Sequence, residues 1–102
     1  MKNKNYLLET LLDKSVDAGA RDDCAMDLAD YDGADVLKFL NVVGSDKSED
    51  WVLQSSCGES IAEIMVRTNR LNKEYLTGLS EHALAQFMGY IKAHKSEWLH
   101  EL

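Results

Sequence analysis

Proline is missing from this 102-residue chain. Because a proline inside a helix costs about 3 kcal/mol, its absence leaves helices free to run without an enforced break. Cysteine is scarce as well. Cys24 and Cys57 are the two present, too few for a disulfide framework and without the Cys-x-x-Cys spacing of a zinc site. Two small buried thiols in a reducing compartment are the expectation. No stretch approaches the roughly 20 apolar residues of a membrane span. Tyr6 to Leu12 is too short and too interrupted for the apolar segment of a signal peptide, so a cytoplasmic location is expected. Basic residues are in the minority, 11 Lys and Arg against 18 Asp and Glu, for a formal net charge of −7. Such a surface repels phosphate backbones, which argues against direct nucleic-acid binding. The same field steers a basic partner, although it also simply keeps a small domain soluble.

What is present is ordinary globular material: 45% apolar and 28% charged residues, enough for one domain over residues 1–102 with its own core. The apolar positions recur at helical spacing. Tyr6, Leu7, Leu8, Leu11 and Leu12 form a first stripe, with Gly19 beyond it as a stop signal. A second helix starts near Ala20 with Cys24, Ala25, Leu28 and Ala29 inward, and Asp32-Gly33 breaks it. The third runs from about Ala34 to Val43. A polar loop follows, in which Asp50 can cap a fourth helix from about Trp51 to Arg67. A short fifth helix holds Glu74 to Leu79, and a long last one runs through Trp98 with Leu84, Phe87, Met88 and Ile91 as its stripe. No alternation long enough for a strand occurs, so the class is all-α.

An internal repeat refines that class. Cys24-Ala25-Met26-Asp27-Leu28-Ala29-Asp30 aligns with Cys57-Gly58-Glu59-Ser60-Ile61-Ala62-Glu63 at an offset of 57 − 24 = 33. Arg21-Asp22-Asp23 before the first aligns with Gln54-Ser55-Ser56 before the second, all polar. Small residues at Cys24, Ala25, Cys57 and Gly58 let a neighbouring backbone approach, and Leu28 and Ile61 fill the gap one turn further on. Pairs of such helices cannot bury their apolar faces alone and therefore stack.

On these residues the chain resembles the short HEAT-like repeats of the phycobilin-lyase type, whose second helices carry a small-small-x-x-Leu pattern. Trp51 to Ile64 is the better copy and Ala20 to Ala29 the other; Gln54 stands where the family often has arginine. The resemblance implies a short α-solenoid of about three antiparallel helix pairs, with a repeat core over about residues 20–66 and capping helices over about 5–14 and 70–101. It also implies a concave face built from the second helices. Asp22, Asp23, Asp27, Asp30, Glu59 and Glu63 would line it, with Arg21 at the edge and Asp32, Asp35, Asp46, Glu49 and Asp50 extending it through the loops. Small acidic helical proteins of this kind look like the immunity proteins of bacterial toxin systems, which implies a basic toxin domain, such as a nuclease, as partner. A scaffold or adaptor without inhibitory activity is the alternative.

Trp51, directly after the charged loop, suits either a lid over a small core or a binding anchor. Catalysis and metal binding find little support. His94, Glu97 and His100 are spaced i, i+3, i+6, so the histidines diverge around a helix instead of forming an i, i+4 metal pair. Ser55, Ser56 and Ser60 flank Cys57 without the strand-turn-helix setting of a nucleophile elbow. No glycine-rich phosphate loop is present. The expectation is a protein-binding module with no cofactor and no enzymatic activity.

Overall fold

A computed structural model describes residues 3–102, and among them the regular structure is entirely helical. Helix α1 (Lys4–Leu12) is opened by Asn3, whose side chain accepts the Tyr6 N–H, and it buries Leu7, Leu8 and Leu11 while Tyr6 stays exposed. Gly19 is not its stop. The helix ends at Leu12 because the Asp13 carboxylate captures both the backbone N–H and the hydroxyl of Ser15, at 2.9 and 2.6 Å. Such side-chain bonding competes with the helical ladder and turns the chain.

Gly19 instead lies in the first turn of α2 (Ala18–Asp27), which Asp17 caps by accepting the Ala20 N–H. The end of α2 tightens into a 3-10 turn, Leu28–Asp30. Gly33 (φ 110°) then re-aims the chain in a conformation that side chains rarely adopt, and α3 follows over Ala34–Gly44. Asp50 caps α4 (Trp51–Thr68) as expected, accepting from the N–H groups of Val52 and Leu53. Asn69 in the left-handed region closes it.

Beyond α4 the structure departs from the sequence reading. The expected helix from Glu74 to Leu79 is a single 3-10 turn, Lys73–Leu76, after which Gly78 (φ 82°) reverses the chain. Helix α5 (Glu81–His94) is capped by Ser80 and ends well before Trp98. A 3-10 turn, Ser96–Glu101, carries Trp98 back into the core. Ala83, Phe87 and Ile91 are buried on α5, whereas Leu84, expected in the stripe, is exposed. Among the described residues, five α-helices and three 3-10 turns thus stand in place of six helices.

Helix α4 is the axis of the packing. Helices α2, α3 and α5 all lie against it; α1 packs on α2 and α3, and the Lys73–Leu76 turn packs on α3. Its burial on several sides follows: Leu53, Cys57, Ile61, Ile64 and Met65 reach zero or near-zero exposure. Gly58 sets the closest approach. A Cβ there would fall 1.9 Å from the Ala83 carbonyl oxygen, so only glycine lets the α5 backbone rest on α4. On the other side, the buried Ser60 hydroxyl donates to the Ala25 carbonyl at 2.7 Å, joining α4 to α2. The radius of gyration, 12.5 Å, matches the roughly 13 Å of a compact 100-residue domain.

Candidate protein-binding face

Gly58 and Ser60 locate the exposed strip of α4. Successive helical residues turn by about 100°, so the α5 contact at Gly58 and the α2 contact at Ser60 lie on different sides of the helix. Between them, away from α3, fall Val52, Ser56, Glu59 and Glu63 at i, i+4, i+7 and i+11. Val52 and Glu59 are exposed, and Ser56 and Glu63 are half-buried. The strip therefore runs along α4 between the lines where its two neighbours dock.

The acids named from sequence divide according to this geometry. Glu59 and Glu63 are brought together beside Tyr90 of α5: burial raises the Tyr90 phenol above its ordinary range, and the two carboxylates raise it further. Arg67 opposes that effect. Its guanidinium is tied to the carbonyls of Ala29 and Tyr31, bridging α4 to the end of α2. Asp22 is half-buried on α2, with one carboxylate oxygen buried and without a hydrogen-bond partner. Its charge is felt at Cys57, whose thiol is pushed far above its usual range by burial first and by Asp22 second. Asp23 and Asp27, one turn apart, and Asp30 on the following 3-10 turn are exposed. None of these six acids forms an ion pair among the described residues.

The loop acids behave differently, and their expected contribution to the face is corrected. Asp35 pairs with Lys4 at 3.1 Å, Asp46 with Lys14 at 2.7 Å, and Glu49 with Arg21 at 2.5 Å. Asp50 is engaged as the α4 cap. Asp32 and Asp50 are both exposed without an ion pair among the described residues. Arg21 is likewise not an edge residue: only 4% exposed, it also donates from Nε to the Leu11 carbonyl. Gln54, its partner in the repeat, is buried too and donates to the Glu49 carbonyl at 2.7 Å. Both copies of this position therefore grip the same residue.

Trp51 is no core lid. It is 61% exposed, and its ring lies 5.7 Å from that of His82, tilted by 40°. A cleft of about 540 Å³ opens beside the two rings, with Lys47, Asp50 and Glu81 on its walls. His94 closes α5 and stacks on Tyr90 at 4.2 Å, while Glu97 and His100 belong to the terminal 3-10 turn. Among the described residues no group of three His, Cys, Asp or Glu side chains is placed to hold a metal, and no helix is long and apolar enough to cross a membrane.

The sequence reading missed Val52 as part of the exposed strip, and it missed the Arg21–Glu49 pair. The repeat also reaches further back than the sequence reading took it. Asp13-Lys14-Ser15 recurs as Asp46-Lys47-Ser48 at the same offset, 46 − 13 = 33, and both copies form the same carboxylate-to-Ser turn. Asp17 and Asp50, again 33 apart, then cap α2 and α4. Extending the repeat to residue 13 would have shown that Arg21 and Gln54, already aligned as polar residues, each follow the same turn and cap. No protein-family model, curated protein or solved structure matches this chain.

Proposed function

We propose that the chain is a protein-binding module that grips a basic partner with the acidic side formed by α2 and α4, and that it acts as an immunity protein covering the substrate-binding surface of a toxin domain. The carrying observation is the division among its carboxylates. Asp35, Asp46 and Glu49 are held by Lys4, Lys14 and Arg21, whereas Asp22, Asp23, Asp27, Asp30, Glu59 and Glu63 are left without a cation among the described residues. Charges kept unpaired at a surface act outward, raising the encounter rate with an oppositely charged protein.

A HEAT-like arrangement is the architecture we propose behind that surface. Helix α1 packs on α2 and α3 on α4; between these pairs, α1 meets α3 and α2 meets α4. The Lys73–Leu76 turn on α3 and α5 on α4 extend the same order to a third pair whose first member has shrunk to one turn. The matched turns, caps and buried side chains at offset 33 support the repeat.

The test is binding to, and protection of cells against, basic nuclease toxin domains. Asp27→Lys with Glu59→Lys should keep the fold and slow association, with the greatest loss at low salt. Unchanged association kinetics would reduce the acidic side to solvated surface. Capture of several housekeeping proteins without protection would favour an adaptor.

A further inference from the structure

The basic-partner reading leaves open what shape of partner fits, and the strip on α4 bears on that. Glu59 and Glu63 are not alone on their side of the helix. Val52 shares it at one end, 42% exposed, and Trp51 stands beside Val52, 61% exposed. An exposed tryptophan next to an exposed valine, on a strip that also carries Glu59 and Glu63, is an apolar anchor point of the kind that dominates interfaces. The Trp51 ring rests against His82 of α5, which holds it at the α5 edge of the strip. The anchor and the acids are a fixed distance apart. At 1.5 Å per residue, Glu59 and Glu63 lie about 10 and 16 Å along α4 from Val52.

We infer that this strip receives a helical segment of the partner, laid along α4 between α2 and α5, with an apolar residue against Trp51 and Val52 and basic residues opposite Glu59 and Glu63. This inference rests on the proposed binding of a basic protein. Charge complementarity fixes the sign of the segment. The helical spacing of the strip fixes the separation, an apolar residue with Lys or Arg seven and eleven residues away on one face of the ligand helix, after it in a segment parallel to α4 and before it in an antiparallel one.

Three helical peptides of about five turns test it as probes. The first carries Leu followed by Arg at i+7 and i+11, and is made also with that order reversed; the second has both arginines moved by two residues, onto the opposite face; the third has Leu replaced by Ala. Trp51 supplies the readout, because Trp98 is buried at 7% exposure and Trp51 is the tryptophan open to a ligand. The first peptide should bind and shift Trp51 fluorescence, and the other two should bind about tenfold more weakly, the scale of a lost anchor. Val52→Ala should weaken the first peptide to a similar extent without altering its salt dependence. Glu59→Gln with Glu63→Gln should flatten the salt dependence. Equal binding of all three peptides overturns the inference while leaving a basic partner intact. Failure of every basic peptide and of basic toxin domains alike overturns both.

Discussion

Arg21 holds Glu49 with both terminal guanidinium nitrogens, at 2.8 and 2.5 Å, across 28 residues of sequence. Their side chains are 5% and 9% exposed, so the pair lies almost out of water. Burial weakens solvent screening; Arg21 Nε also donates to the Leu11 carbonyl, and the Lys14 ammonium adds an opposite charge 3.8 Å from the Glu49 carboxylate. The pair thus clamps the end of α1, the start of α2 and the loop before α4 at one point.

Removing one member of that clamp strands the other. Glu49→Ala should destabilise the protein by about 3–5 kcal/mol, the cost of an uncompensated buried charge. Arg21→Met combined with Glu49→Leu should recover most of that loss. Chemical denaturation of the single and double variants measures both, and a loss below about 0.5 kcal/mol in Glu49→Ala, the level of an ordinary surface change, would mean the pair is in effect a surface contact.

Two glycines on exposed and buried faces should respond oppositely to the same change. At Gly58 a methyl group meets the Ala83 carbonyl at 1.9 Å, which neither rigid backbone can yield without separating α4 from α5. Gly58→Ala should cost at least the 1–3 kcal/mol typical of overpacking. Gly89 has nothing within 4 Å of its virtual Cβ, so Gly89→Ala should stabilise by up to about 1 kcal/mol through helix propensity. Thermal melts of the two variants decide it.

Core truncation separates packing from the binding face. Leu28 and Ile61 are fully buried, and either one changed to Ala should cost about 2–5 kcal/mol. Partner affinity, measured where the variant is still folded, should stay unchanged, since neither side chain reaches the surface.

Acid should weaken the protein through its paired aspartates. Lys14 and Ser48 hold the Asp46 carboxyl well below the usual carboxylate range, and Lys4 lowers that of Asp35. A carboxyl with a depressed folded-state pKa stabilises fully above the unfolded value of about 3.9. That contribution disappears as pH falls through the folded value. Asp46→Asn should therefore make stability less steep below about pH 4 while leaving the Ser48 turn acceptor in place. An unchanged acid limb in pH-dependent unfolding would exclude Asp46 from the linkage.

Thiol chemistry provides a last check on burial. Cys57 is buried and its thiol is held protonated by desolvation and by the Asp22 charge. Thiolate is the reactive form, so Cys57 should resist a thiol reagent at mildly alkaline pH until the protein is unfolded. Rapid labelling of the folded protein at Cys57 would contradict the packing of α4.

The helices that carry strong apolar spacing were legible in the chain: α3, α4 and the inner residues Phe87 and Ile91 of α5 lie where periodicity puts them. Their caps were partly legible, because Asp50 is a short acceptor directly before an apolar run. The stretch Glu74–Leu79 was misread, since Tyr75, Leu76 and Leu79 have helical spacing while Gly78 at positive φ limits the turn. Trp98 was misread for a related reason: it reaches the core from a 3-10 turn, not by continuing a stripe.

Sequence by itself determined the all-helical class, the internal offset of 33 residues and the excess of carboxylates, because each depends on local spacing or on composition. Tertiary structure alone decided which carboxylates are spent and which remain open. That depends on where Lys4, Lys14 and Arg21 arrive in space, 31, 32 and 28 residues away from the acids they meet, and no local pattern encodes such a meeting. It also decided that Trp51 stays largely in water, against His82 at the start of α5, instead of entering the core.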